Sequence, residues 1–281
     1  MRHKAKKVIM LFLTITFAWI VIGVTIYNGY LTRVVHGRMT TKHGNLLTTE
    51  NGFVFDTGAN ASFISKKKTG FSLFLFPTIV SDTYNFRKIL PVCYAHRLQI
   101  NDAVAFERFA FVAAPSTASG HEKYDAVIGM NLISKTNLYF SFVENTIDVL
   151  PLDSLFDVPS KAIVFEYKGT TKPTLSLKID GLVIDDILID TGFDNDLALD
   201  KDAITLIKTA SNHSSNLITN KTIFASKKQI HYLIKNINIE SRYYKDVAVI
   251  QSTRRLIGTR FFKRYNHMFW DSKNHKIYLW L

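Results

Sequence analysis

FVFDTGANASFIS, Phe53 to Ser65, and ILIDTGFDNDLAL, Ile187 to Leu199, follow one pattern. Each starts as an apolar strand, breaks at Asp-Thr-Gly, and resumes as a second short apolar run. Asp190 stands 134 positions after Asp56. Val127-Ile128-Gly129 places its glycine 73 residues past Asp56, and Leu256-Ile257-Gly258 places its glycine 68 past Asp190. A helix-like piece follows each glycine, Met130 to Lys135 and Thr259 to Arg264. An aromatic hairpin comes next: Leu138-Tyr139-Phe140 turning near Glu144-Asn145, and Met268-Phe269-Trp270 turning near Lys273-Asn274. One Asp-Thr-Gly alone is an ordinary turn closing a strand. Two, each trailed by apolar-apolar-Gly at nearly equal distance, mark an internal repeat.

The repeat has a chemical reading. A buried strand delivers its carboxylate to a fixed point, and glycine lets the backbone turn sharply and approach closely. The Thr hydroxyl can bond across to the partner loop. If the halves pack about a pseudo-twofold axis, Asp56 and Asp190 meet there. Two adjacent carboxylates cannot both ionise cheaply, so they share one proton and titrate as a pair. The ionised member can draw a proton from water; the protonated one can polarise a carbonyl and later protonate the leaving nitrogen. That is amide hydrolysis without a metal, a cofactor or a covalent intermediate.

Around these motifs the chain reads as β throughout. Short β-rich runs such as Phe109-Ala110-Phe111-Val112 and Val247-Ala248-Val249-Ile250 are bounded by Asn, Asp, Gly, Lys and Ser. Glu50-Asn51-Gly52 and Ile179-Asp180-Gly181 are hairpin-turn signals, and Pro151 and Pro159 bracket a connector. Helical periodicity is convincing only for the two short pieces after the glycines.

The N-terminus is different. Val8 to Tyr27 holds twenty residues without a charge, about 30 Å as a helix, which matches the hydrocarbon thickness of a bilayer. MRHKAKK precedes it and no A-x-A cleavage site follows, which favours an uncleaved anchor over a signal peptide. The small basic terminus predicts a cytoplasmic N-terminus and a periplasmic or extracellular remainder. The segments expected are therefore 1–7 basic, 8–27 transmembrane, 28–43 a polar stalk, 44–152 one lobe and 153–281 a second.

Composition removes other classes. Lys+Arg 35 against Asp+Glu 23 gives +12. Seven of those charges precede the first acidic residue, Glu50, so the folded part carries no basic stripe suited to nucleic acid. A hydrophobic content of 47% excludes a disordered chain. Cys93, the single cysteine, excludes internal disulfides and CxxC motifs. The nine histidines show no metal-ligand spacing, and HExxH, Gly-x-Ser-x-Gly and P-loop patterns are all missing from the sequence.

FVFDTGANASFIS with YDAVIGMNLI, and ILIDTGFDNDLAL with RRLIGTRFF, resemble the retropepsin-like aspartic proteases, over nearly everything from Gly44 onward. The resemblance implies an all-β fold of two retropepsin- or pepsin-like barrel lobes related by a pseudo-twofold. It makes Asp56 and Asp190 the catalytic pair, and Thr57 and Thr191 an interlocked brace beneath it. Gly58 and Gly192 would line the cleft. Gly129 and Gly258 would thread ψ-shaped loops below. Both halves on one chain imply that no homodimer is needed. The hairpins Ser81 to Arg87, with Tyr84 or Phe86 closing over a peptide, and Phe224 to Lys228 are the expected flaps. Ala59 and Phe193 stand where pepsin-like motifs carry a hydroxyl, which predicts an optimum less acidic than pepsin's. Met130 replaces an Arg common in retropepsins after the glycine, and Arg260 sits one place late, so bracing by that cation is in question. The expected activity is a membrane-anchored aspartic endopeptidase acting on peptides or proteins; the alternative is a catalytically silent, membrane-tethered peptide-binding or scaffold module.

Overall fold

In the computed structural model the described residues are 2–27, 31–42, 47–81, 87–114, 126–210, 213–221 and 226–281. Strands take 53% of the chain and helices 15%, so the all-β expectation holds beyond the N-terminal helix. That helix, α1 (Arg2–Tyr27), contains one window, Ile9–Ile26, long and apolar enough to cross a membrane. Its C-terminal turns touch the rest of the molecule: Trp19 donates its indole N–H to the Leu75 carbonyl at 3.2 Å, and Gly23 lies against the ring of Phe76.

The polar stretch after α1 is not a stalk. It forms β1 (Arg33–Val35) and β2 (Gly37–Thr40), integral strands of the fold. Val34 and Met39 point into the core, while Arg33 and Arg38 take the outward positions. Arg38 there grips Asp148 with two parallel hydrogen bonds of 2.6 and 2.8 Å. Outward residues of short edge strands dominate the composition, which is why the stretch looks like a linker.

The N-terminal sheet comprises β3 (Phe53–Phe55), β4 (Phe63–Ile64), β5 (Ser72–Ser81), β6 (Arg87–Gln99), β7 (Ala105–Ala113) and β8 (Ala126–Ile128), with the four-residue α2 (Lys66–Thr69) between β4 and β5. The chain then forms α3 (Met130–Ile133), β9 (Asn137–Ser141), β10 (Thr146–Leu150) and β11 (Ile163–Glu166). The C-terminal half continues with β12 (Thr174–Ile179), β13 (Leu182–Asp190), β14 (Leu197–Leu199), α4 (Lys201–Ala210), β15 (His213–Lys221), β16 (Ser226–Ile239), β17 (Arg242–Gln251) and β18 (Leu256–Gly258). It closes with α5 (Thr259–Phe262), β19 (His267–Asp271) and β20 (Lys276–Trp280).

The two large sheets run β3-β8-β4-β7-β6-β5, with β1 on β7, and β12-β13-β18-β14-β17-β16-β15. From β3 and β13 onward the orders match strand for strand. The senses match too: β3–β8 and β13–β18 are parallel, β8–β4 and β18–β14 antiparallel, and β4–β7 and β14–β17 parallel. A third sheet, β11-β20-β19-β9-β10-β2, joins the halves. At its centre β9 and β19 run antiparallel, Phe140 opposite Met268 and Tyr139 opposite Phe269. The Pro-bracketed connector is pinned beneath this sheet by Phe156, stacked on Phe269 at 4.4 Å. One apolar core, from Val34 to Leu279, runs through all three sheets.

Helix α4 is absent from the sequence reading. Asp200 caps it, accepting the Ala203 amide at 2.9 Å, and Ala203, Ile204 and Ile207 bury one stripe.

Candidate active site

Asp56 follows the last residue of β3, and Asp190 is the last residue of β13. Both strands are held in parallel pairing by the glycine-bearing strands: Phe55 stands opposite Ile128, and Asp190 opposite Gly258. The carboxylates are therefore delivered by backbone held within a sheet, and not by a free loop.

The two loops are tied to each other. The Thr57 amide donates to Thr191 Oγ1 at 3.0 Å, and the Thr191 amide to Thr57 Oγ1 at 3.0 Å. Each hydroxyl passes its own hydrogen across, Thr57 to the Ile189 carbonyl at 2.8 Å and Thr191 to the Phe55 carbonyl at 2.7 Å. Both threonines are buried. Four reciprocal bonds between residues 132 to 136 apart fix the loops far more tightly than either turn could alone.

Above this tie the carboxyl groups of Asp56 and Asp190 face one another closely enough for each to act on the other's ionisation. Gly58 and Gly192 make the approach possible. A Cβ on Gly58 would lie 2.3 Å from the Asp190 carboxyl carbon, and one on Gly192 2.4 Å from that of Asp56. Each glycine lies flat against the opposite acid.

Burial raises both carboxyl pKa values, and Asp190 further, because the neighbouring charge of Asp56 adds to its desolvation. The donors explain the asymmetry. Asp56 Oδ1 accepts the amides of Gly58 at 2.8 Å and Ala59 at 3.2 Å, and the Gly192 amide also favours its charge. Asp190 Oδ1 accepts the Gly192 amide at 3.0 Å, and Arg254 offsets a further part of its shift. With one proton on the pair, Asp190 is its better-placed holder and Asp56 the better-placed anion.

The ψ glycines serve backbone contact. A Cβ on Gly129 would meet the Ala61 carbonyl at 2.6 Å, and one on Gly258 the Asn195 carbonyl at 2.3 Å. The following amides close on the loops above, Met130 N to Ala59 O and Thr259 N to Phe193 O, both at 2.8 Å. Met130 is core, so it gives no cationic brace. Arg260 turns within its own half to Asp196, at 3.5 Å.

Asp196 belongs to a set the sequence reading passed over. Six residues past each candidate aspartate, and two past each ψ glycine, stand Ser62 with Asn131 and Asp196 with Arg260. Asn131 Oδ1 accepts both the amide and the hydroxyl of Ser62, at 2.7 and 2.8 Å, and Ser62 Oγ accepts the Gly129 amide. In the second half fully buried Asp196 takes Arg264 Nε at 2.6 Å and Nη2 at 3.0 Å, and the Ala248 amide at 2.9 Å. The repeated +6 and +2 offsets are the signal that would have found them. Tyr84, Phe86, Phe224 and Ala225 lie outside the described residues; of the flaps, the arms β5–β6 and β15–β16 are described. Among the described residues no cluster of acids, histidines or cysteines could hold a metal.

No protein-family model and no curated protein matches this chain. Among solved structures, a retropepsin-like aspartic protease from Rickettsia conorii aligns over 44% of this chain and 96% of its own, at 15% identity and a TM-score of 0.33. A likeness that slight carries no argument for fold or function.

Proposed function

We propose that the chain is a membrane-anchored aspartic endopeptidase in which two lobes, related by a pseudo-twofold through the threonine tie, supply one carboxyl each. Asp56 and Asp190 are its catalytic pair, supported by Thr57, Gly58, Thr191 and Gly192. The reading rests chiefly on one observation: two desolvated carboxyls that act on each other's ionisation, held by a reciprocal backbone tie, with their flanking glycines against the opposite acid. Each acid has the other as a partner, and the charge of Arg254 offsets only part of the shift on Asp190.

The chemistry follows from a single shared proton. Ionised Asp56 takes a proton from a water held between the acids as the water oxygen bonds to the scissile carbonyl carbon. Protonated Asp190 donates a hydrogen bond to the carbonyl oxygen and stabilises the charge that develops there. As the tetrahedral adduct collapses, Asp190 gives its proton to the amide nitrogen, the C–N bond breaks, and a carboxylic acid and an amine leave. The pair then holds its one proton on Asp56, and transfer along the carboxyl–carboxyl hydrogen bond restores the starting state.

α1 serves as the anchor, with its basic end in the cytoplasm and the catalytic region in the periplasm or outside the cell. The test is hydrolysis of a quenched fluorescent peptide library by the full chain. Asp56→Asn and Asp190→Asn are each expected to lower the rate about 10²–10⁴-fold. Wild type and variants equally inert, with peptide still bound, would instead establish the silent peptide-binding module.

A further inference from the structure

The arms β5 and β6 form a hairpin that is apolar on both faces. Past the point where β7 ends opposite Val92, the two arms pair only with each other, Pro77 opposite Pro91 and Ile79 opposite Ile89. Alternation puts these four on one side, where Ile79 and Ile89 are 68% and 74% exposed. Phe74 and Phe71, at 51% and 81%, extend the apolar surface toward the base. The other side, Leu75, Phe76, Val80, Leu90 and Val92, belongs to a separate apolar cluster that also takes in Ile26 of α1. A hairpin bathed in water on one face would carry polar residues there.

The fold contains its own control. Hairpin β15–β16 holds the same place in the C-terminal sheet. Its strands read HSSNLITNK and SKKQIHYLIKNINI. Leu217 and Ile230, opposite one another, are its exposed large apolar side chains among the described residues. Two hairpins of one topology thus differ in chemistry, and the apolar one lies beside the membrane-length helix.

The contact also sets a depth. Trp19, Gly23 and Ile26 fall inside the apolar window Ile9–Ile26, and they span about 10 Å of helix axis. Whatever layer surrounds these turns also surrounds Leu75 and Phe76. The indole of Trp19, a side chain suited to the membrane–water boundary, satisfies the Leu75 carbonyl on the open edge of β5. Lys68 precedes Phe71, and Arg87 and Lys88 open β6 ahead of its apolar run, basic residues of the kind that meet anionic headgroups.

We infer that hairpin β5–β6 is embedded in the leaflet that receives the C-terminal turns of α1, its Ile79/Ile89 face against lipid. This rests on the anchor reading above and specifies where the proposed enzyme works. One arm of its substrate cover is held at the bilayer surface, which suits it to polypeptides that are themselves membrane-bound, cleaved close to the lipid.

Full-length protein is reconstituted in phosphatidylcholine–phosphatidylglycerol vesicles with single labels at Phe12→Cys, Ile79→Cys, Ile89→Cys and Leu217→Cys. Native Cys93 is buried, and the unsubstituted chain gives the background. Positions 79 and 89 lie outside the packed core, so their substitution leaves folding intact. Labels at 12, 79 and 89 are expected to be quenched several-fold more by doxyl lipids than the label at 217, which aqueous iodide quenches instead. If 79 and 89 behave like 217 while 12 is quenched by lipid, the embedded hairpin is refuted and the anchor stands. If 12 is also quenched only by iodide, the anchor reading fails and the hairpin inference fails with it.

Discussion

At the scale of single residues, the account turns on how two carboxyls are held. Their raised pKa values link to stability with a definite sign. An acid whose folded pKa exceeds its unfolded value, near 3.9, costs nothing while both states are protonated. It then destabilises the fold as pH rises from the unfolded pKa to the folded one. Asp190→Asn is therefore expected to melt higher than wild type at neutral pH, with the gain vanishing below about pH 4, as thermal scans across pH would reveal. Thr57→Val removes a donor and an acceptor from the tie and orphans the Thr191 amide and the Ile189 carbonyl, at a cost of roughly 3 kcal/mol. Thr57→Ser should recover most of that in chemical denaturation, together with peptide hydrolysis. These residues were legible in the sequence because identical tripeptides ended two similar strands. Ser62 with Asn131 and Asp196 with Arg260 were carried only by their repeated offsets, since a neutral set in one half replaces a charged set in the other and no shared residue type announces them.

At the scale of elements, the structure explains which patterns could be read. The runs that lead into Asp56 and Asp190, Phe53-Val54-Phe55 and Ile187-Leu188-Ile189, are apolar and pair with the buried strands β8 and β18, and such runs stand out. Strands β1 and β2 are short edges with alternating basic residues, so their pattern matched that of a tether. Helix α4 is a ten-residue element whose β-branched Ile204, Thr205 and Ile207 argue locally for strand; tertiary burial of its stripe decides otherwise. The loops threaded beneath the aspartates bear a further prediction. Gly258→Ala and Gly129→Ala press a methyl against rigid backbone, and each should cost about 1–3 kcal/mol or more and displace the acid above it. Loss of peptide hydrolysis greater than the loss of folded protein, measured on the soluble folded fraction, would show that displacement. Arg264→Met leaves buried Asp196 with Arg260 and the Ala248 amide alone. Destabilisation on the order of 3 kcal/mol is expected in chemical denaturation.

At the scale of the whole molecule, one chain supplies both aspartates and both halves of the threonine tie. The rate per molecule should then stay constant on dilution, whereas an enzyme assembled from two half-sites would lose activity as the square of concentration. The joining sheet, to which each half contributes three strands, makes the halves inseparable. That sheet was only half visible in the sequence: the aromatic hairpins β9–β10 and β19–β20 were plain, but its outer strand β2 was hidden in the supposed stalk.

The most direct measurement of the central claim is a carbon-13 NMR titration of the full chain labelled at the aspartate side-chain carboxyl, with Asp56→Asn and Asp190→Asn used to assign the pair. The account expects two coupled carboxyls, one ionising in acid and the other retaining its proton well above the ordinary aspartate range. Two resonances that both titrate independently near 3.9 would mean that no hydrogen is shared between them, and the water-activating pair would have to be abandoned.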